Sequence, residues 1–184
     1  MKHFLKICVV LMLVCTLMAT ALAVINGVTD PLIEKNENEK RAEILSSFFP
    51  AMQGEYDSHK PEVDGVSCVY TVRGAEGVLL GYCAEVTKTG YAGGVNMMVA
   101  LSPDQKILGV SLVSHSETKG LSDKKLASVL CDSFEGKEGQ QKLTSRGGEI
   151  DGIAGATYSS RAVLEGVNAA VEAVKILEQG GTQA

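Results

Sequence analysis

Asp151-Gly-Ile-Ala-Gly-Ala-Thr157 is the stretch around which the second half of the chain is organised, because it delivers a threonine hydroxyl to the start of a helix. Gly155 accepts backbone conformations that other residues resist, which suits a tight loop. Ser159 or Ser160 is predicted to cap the helix. A helix N-terminus offers free N–H groups and partial positive charge. The spacing therefore favours a phosphate held at or near Thr157; the alternative is an ordinary capping turn of small residues.

The chain after this loop has the pattern of an amphipathic helix. Apolar side chains recur at intervals of three and four residues, at Val163, Val167, Ala170, Val171, Val174 and Leu177. Gly180-Gly181 then ends the predicted helix.

The chain before this loop has strand patterns. Four segments are rich in β-branched and apolar residues: Val66–Val72, Val78–Val86, Val95–Leu101 and Ile107–Val113. Short turns at residues 74–77 and 102–106 imply antiparallel neighbours. We therefore predict an α+β fold, a mostly antiparallel sheet packed with helices and preceded by one transmembrane helix.

The N-terminal segment predicts a membrane anchor. Ile7–Ile25 carries no charge, and at about 1.5 Å per residue it nearly spans a hydrocarbon core of roughly 30 Å. Lys2 and Lys6 precede this run, whereas Asp30 and Glu34 follow it. Because basic residues stay on the cytoplasmic side, we expect the N-terminus inside and the remainder outside.

A cleaved signal peptide is the alternative, since Ala21-Leu-Ala23 resembles a cleavage site. The apolar run is longer than a usual signal core, which favours a retained anchor, and either reading exports the folded part. Within the following segment, Glu34–Phe49 is predicted to be a helix that Pro50 stops. The predicted organisation is an anchor at 1–27, a linker with a helix at 28–65 and a domain at 66–184.

Charge and cysteine content exclude several classes of site. The formal net charge of −5 argues against a nucleic-acid partner. Cys68, Cys83 and Cys131 lie in the domain, and their spacing fits neither a zinc site nor an iron–sulfur site. Cys68 and Cys83 fall on neighbouring strands, so a disulfide in an oxidising compartment and free buried thiols both stay open.

A second polar cluster, Ser114–Leu121, follows the last strand directly. It places an imidazole, a carboxylate and hydroxyls on one short loop, which makes it a candidate functional loop. The alternative is a solvated loop that caps a helix predicted over Ser122–Phe134. The inward side chains of that helix are expected to be Leu126, Val129 and Leu130.

Both polar stretches resemble motifs of one family, the FMN-binding domain of the Rnf complex G subunit and of NqrC from the sodium-pumping quinone reductase. Asp151, Gly155, Ala156 and Thr157 match its flavinylation motif, Asp-x-x-(Ser/Thr)-Gly-Ala-Thr. Ala154 departs from the motif, because serine or threonine is usual there.

The loop at 114–121 resembles the family's His-x-Glu-Thr-Pro-Gly-Leu segment, with Lys119 in place of proline. The resemblance implies that this loop lines the isoalloxazine pocket, through His115, Glu117, Thr118, Gly120 and Leu121. Gly90-Tyr91 and Phe134-Glu-Gly-Lys137 also resemble family segments. Lys137 is expected to be a solvated surface lysine; approach to an anion is the alternative.

The resemblance implies FMN joined to Thr157 by a phosphoester, which a separate magnesium-dependent flavin transferase forms from FAD. It also implies an electron-transfer subunit in the cell membrane, with its domain on the extracytoplasmic side and other membrane subunits of an Rnf-type ion-translocating ferredoxin:NAD oxidoreductase as partners. Such a chain is a redox subunit of a complex rather than a complete enzyme.

Three alternative functions stay open. One is a flavin-carrying subunit of another electron-transfer chain, similar to NqrC. Another is a non-catalytic exported binding module. The last is an exported serine enzyme that uses Ser122-Asp-Lys-Lys125, although the companion motifs of such enzymes are absent from the sequence.

Overall fold

The structure is a computed structural model and describes residues 2–52, 56–115 and 126–180. This chain divides into two compact units, Met1–Lys40 and Arg41–Ala184. The predicted domain limits at 27/28 and 65/66 stay a proposal.

The first helix, α1, spans Lys2–Phe48 without a break. Two separate helices were expected here, but the polar residues between them continue the helix, and Lys35 and Glu39 form an i,i+4 ion pair at 3.8 Å. Within α1, Val9–Gly27 is long and apolar enough to cross a membrane, with a mean hydropathy of 2.4. The apolar side chains described in this stretch are exposed, as lipid-facing side chains are.

The C-terminal end of α1 packs on the domain. Leu45 is 2% exposed and Phe49 is 4% exposed. Phe48 lies over Gly109, where a Cβ would stand 2.4 Å from the Phe48 ring. Phe48 can pack this closely on the sheet only because residue 109 has no side chain.

A five-stranded antiparallel sheet follows α1. Its strands are β1 (Tyr56–His59), β2 (Val66–Arg73), β3 (Leu79–Thr89), β4 (Gly94–Leu101) and β5 (Ile107–His115), and each strand pairs with the next along the chain. This confirms the predicted α+β class and the four predicted strands. The edge strand β1 was missed, because its four residues are mostly exposed and carry no apolar alternation.

The last helix, α2 (Thr157–Glu178), covers the sheet face opposite the end of α1. The predicted apolar stripe is buried at Val163, Val167, Ala170, Val171 and Val174, and Leu177 packs against it. Gly166 lets α2 approach the sheet closely, because a Cβ there would stand 2.7 Å from the sulfur of Met97. Packing of this stripe fixes the N-terminus of α2 relative to the strands.

The segment between β5 and α2 differs from the predicted single helix. Leu126–Leu130 forms a π-helical turn and Asp132–Phe134 a 3-10 turn. Leu126, Leu130 and Phe134 are buried as a helix face would be, but Val129 is 58% exposed and its predicted inward orientation is wrong. The π-helical turn at Leu126–Leu130 does not keep the α-helical spacing on which that prediction depended.

Cys68, Cys83 and Cys131 are free thiols. The strand register places Cys68 opposite Glu85 and Cys83 opposite Tyr70, so the two cysteines do not face each other. Burial raises the pKa of the Cys131 thiol to about 12. In this structure all three cysteines therefore act as protonated, mostly apolar side chains.

Candidate functional site

The loop before α2 is a tight hydrogen-bonded turn. The Ala156 amide donates to the Ile153 carbonyl at 3.0 Å, and Gly155 has a φ of 81° within that turn. A side chain at position 155 would resist this left-handed conformation. The Ile153 amide also donates to the Ser160 hydroxyl at 3.0 Å. These bonds hold the loop against the first turn of the helix.

The N-cap lies three or four residues before the predicted one, and neither serine is the cap. Ala156 is the N-cap, since its carbonyl already accepts from the Ser160 amide at 2.9 Å. Ser159 and Ser160 are buried inside the first turn. The prediction of a serine cap is therefore wrong. The Ser160 hydroxyl instead accepts a hydrogen bond from the Ile153 amide and so links the loop to the helix.

Thr157 is the first residue of α2 and is exposed. The first amides of any α-helix lack an acceptor within the helix, and Ala156 has no side-chain oxygen to supply one. The first turn contains no acidic residue. The Thr157 hydroxyl therefore lies at an uncapped, electropositive helix end that suits an anion.

Arg161 follows Thr157 by one helical turn. Its Nε atom is buried, and no residue in the described part of the chain accepts a hydrogen bond from it. Its Cζ atom lies 6.0 Å from the ring centroid of Tyr158. This places a permanent positive charge at the same helix end as Thr157.

Tyr158 also contacts Tyr91 from the glycine-rich turn before β4. The two ring centroids are 6.2 Å apart, and the rings are 74% exposed for Tyr91 and 63% exposed for Tyr158. The fold thus brings the Gly90–Gly94 turn to the first turn of α2. The rings are inclined by 43°, and exposed aromatic rings of this kind can contact a planar ring system.

The other predicted site residues have different positions. Asp151 is exposed in the loop, and His115 is the last residue of β5, opposite Val95. Glu117, Thr118, Gly120 and Leu121 lie outside the described residues, and so does Ser122-Asp-Lys-Lys125.

Lys137 forms an ion pair with Glu149, with 2.7 Å between Nζ and Oε2. Its charge is thus already balanced within the protein. A groove of about 520 Å³ opens beside this pair, lined by Gly136, Lys137, Glu138, Gln140, Gln141, Lys142, Gly148 and Glu149. No residue from the 151–157 loop or the start of α2 lines it, so this groove is separate from the candidate site.

The sequence reasoning missed Tyr158 and Arg161 as site residues, and it gave Tyr91 no place beside Thr157. One signal was available for Arg161, because residues four apart on a helix share a face. No local signal could have paired Tyr91 with Tyr158, since that contact depends on how α2 crosses the sheet.

Comparisons with known proteins identify relatives of this chain. The chain matches the FMN-binding domain family over residues 90–172. It is 34% identical over 177 residues to the G subunit of the ion-translocating oxidoreductase complex from Stutzerimonas stutzeri, and the match covers 87% of this chain and 76% of that one. It is 30% identical over 200 residues to the G subunit of the Na(+)-translocating ferredoxin:NAD(+) oxidoreductase complex from Acetobacterium woodii, covering 97% and 95% of the two chains.

A solved structure shares the fold. The crystal structure of Shewanella oneidensis NqrC superposes with a TM-score of 0.51 over 71% of each chain, at 21% identity. The residues around Thr157 also fit a flavin mononucleotide chemically. The unpartnered Nε of Arg161 and the uncapped helix suit its phosphate, and the tyrosine rings suit its planar ring.

Proposed function

Since the chain belongs to the family of G subunits of ion-translocating oxidoreductase complexes, we propose that it is an electron-transfer subunit of such a complex and carries FMN covalently on Thr157. The observation that carries the proposal is the exposed Thr157 hydroxyl at an uncapped helix start, inside a chain that matches the FMN-binding domain family. The bound flavin supplies the redox chemistry, while the protein supplies orientation and electrostatic tuning.

Attachment needs a partner. A threonine hydroxyl is weakly nucleophilic unless a base or metal activates it. We propose that a magnesium-dependent flavin transferase forms the bond between Thr157 Oγ and the FMN phosphorus and breaks the phosphoanhydride bond of FAD. AMP leaves, and the hydroxyl proton passes to a base of the transferase. The exposed position of Thr157 gives such an enzyme access.

A mass measurement tests the attachment. Coexpression with a flavin transferase should add the mass of one FMN residue to the peptide that contains Thr157, and Thr157→Ala should lose it. Thr144→Ala is the matched control, because Thr144 is also exposed at the start of a short helix. An adduct that persists in Thr157→Ala, or an unmodified wild-type peptide beside an active transferase, would contradict the proposal.

The 114–121 loop is proposed to shape the flavin environment without being the attachment point. Glu117→Gln and Leu121→Ala should shift the flavin spectrum or its midpoint potential and leave FMN attached. Glu76→Gln is the control, since Glu76 is exposed in the turn between β2 and β3. Unchanged spectra and potentials in both loop variants would remove this loop from the site.

The cell membrane is the proposed location, with one span and the domain on the extracytoplasmic side. The motive is the apolar segment Val9–Gly27 with basic residues before it and acidic residues after it. Protease added to sealed, right-side-out cells should remove the domain. If the domain were cleaved only after the cells are lysed, the proposed orientation would be wrong. The other membrane subunits of the complex are the proposed partners in that location.

A further inference from the structure

Arg161 presents an incomplete hydrogen-bond arrangement. Its Nε–H group is buried, and the described residues offer it no acceptor. Buried polar groups in folded proteins are nearly always paired, because an unpaired one loses its bonds to water without replacement. A group of this kind needs an explanation, and a ligand that completes the bond is one.

The position of Arg161 indicates where that ligand lies. Helical side chains lean toward the N-terminus, so a residue covers the turn that precedes its own Cα. The guanidinium agrees with this rule, since its Cζ lies 6.0 Å from the ring centroid of Tyr158 in the first turn. Thr157 occupies the same helix face four residues earlier. The charged group therefore lies near the first turn of α2, to which Thr157 belongs.

No residue in the described ranges forms an ion pair with Arg161. The first turn of α2 contains no acidic residue, and the ion pairs formed between described residues do not include Arg161. A guanidinium stays protonated in proteins. An anion at Thr157 would supply both the missing charge and the missing acceptor.

We propose that Arg161 binds the phosphodiester that joins FMN to Thr157, with its Nε–H donating to a non-bridging phosphate oxygen. This rests on the proposed attachment at Thr157. The Tyr158 ring lies beside the guanidinium, 6.0 Å from Cζ to the ring centroid, and the first amides of α2 would donate to the same phosphate. Arg161 is thus a binding residue for the linkage, while Thr157 is its point of attachment.

The proposal predicts that loading with FMN stabilises the protein through Arg161. Full-length chain in detergent is prepared with and without a coexpressed flavin transferase, and thermal unfolding is measured for both forms. Loading should raise the unfolding midpoint of wild type by about 3 °C or more, the size expected for one charged hydrogen bond in a domain of this length. In Arg161→Gln the rise should fall to less than half. Arg161→Lys keeps the charge without the Nε donor and should lie between the two.

Arg146→Gln is the matched control, because Arg146 is exposed in the same domain and should keep the full rise. The phosphorus NMR resonance of the linkage gives a second readout, which should move in Arg161→Gln and stay in place in Arg146→Gln. A rise that is absent in wild type or unchanged in Arg161→Gln overturns the proposal, as does an unmoved resonance. Mass spectrometry separates this failure from that of the attachment itself, in which wild type carries no FMN at all.

Discussion

Arg41 and Arg161 both lie in the Arg41–Ala184 unit with partly buried side chains, and they differ in what they bind. Arg41, near the end of α1, donates from Nε and Nη2 to Oε1 of Glu85, at 3.0 and 2.8 Å. Asn96 and Tyr70 donate to the same carboxylate, at 3.2 and 3.3 Å. By contrast, no described residue accepts a hydrogen bond from Nε of Arg161.

Arg41 is bound by a carboxylate of the protein itself, whereas Arg161 is the residue for which we propose a ligand. Glu85 is 5% exposed, and it is surrounded by donors that satisfy both of its oxygens. Burial, followed by the nearby Glu85 charge, raises the pKa of the Tyr70 phenol, so Tyr70 stays protonated and donates. The Glu85 carboxylate is therefore satisfied without a ligand, although Oδ1 of the neighbouring Asn96 has no partner in the described part of the chain. Nε of Arg161 lacks an acceptor there as well, and it carries a charge. Each of the following experiments breaks or sharpens this contrast.

Glu85→Gln should have the largest effect on stability. The variant leaves Arg41 as an uncompensated charge with its side chain only 22% exposed, which typically costs about 3 kcal/mol or more of unfolding free energy. The loss should be equal in FMN-loaded and unloaded protein, because this cluster faces away from α2. Thermal unfolding of both forms measures it.

The double variant Arg41→Met/Glu85→Leu is the control for Glu85→Gln. It replaces both charges with apolar side chains, so most of the lost stability should return. If the double variant were as unstable as the single one, the loss would come from packing rather than from an unpaired charge.

Gly109→Ala should have the next largest effect, about 1–3 kcal/mol of unfolding free energy. A Cβ at position 109 would stand 2.4 Å from the ring of Phe48, which then has to move off the sheet. Gly94→Ala is the control, because a Cβ there meets only Thr87, at an ordinary 3.5 Å. Equal midpoints for the two variants would mean that the end of α1 is held by Arg41 and not by its aromatic side chains.

The fold was more predictable from sequence than the site, and the reason is physical. Strand alternation and the spacing of the apolar residues in α2 are local patterns, so β2 to β5 and the buried face of α2 follow from the sequence alone. The edge strand β1 forms by backbone pairing with β2, which leaves no trace in its exposed side chains.

The site depends on contacts between distant segments. Tyr91 and Tyr158 meet only because α2 crosses the sheet where it does. The helix start at Thr157 was misplaced because serine is a common cap, and the competing bond from the Ile153 amide to Ser160 cannot be read from spacing. The four-residue spacing from Thr157 could have indicated Arg161, because residues four apart on a helix share a face. That its Nε lacks an acceptor among the described residues is known only from the structure.

Tyr158→Leu should have a small effect that depends on FMN. The ring is 63% exposed, so unloaded protein should change by no more than about 0.5 kcal/mol. In loaded protein the guanidinium of Arg161 loses its aromatic partner, a contact worth about 0.5–1 kcal/mol at exposed sites. Loading should therefore stabilise Tyr158→Leu less than wild type. Tyr56→Leu is the control, since Tyr56 is 50% exposed on β1, and an equal reduction there would contradict a specific role for Tyr158.

Lys137→Gln should have the smallest effect, because Lys137 is a cation whose partner is already present at the surface. Its ammonium group, through a hydrogen bond and then through its charge, holds the pKa of the Glu149 carboxyl below the ordinary 4.5. Because this pKa is lower in the folded than in the unfolded chain, the pair contributes stability above about pH 4.5, and the contribution is lost as the pH falls through the folded-state value. Carboxyl NMR titration should therefore show the Glu149 pKa rising toward its ordinary value in Lys137→Gln. FMN loading should leave the pKa of Glu149 unchanged, because Lys137 is already bound to Glu149. A shift of this pKa on loading would mean that Lys137 lies close to the flavin, and Lys137 would then resemble Arg161 rather than differ from it.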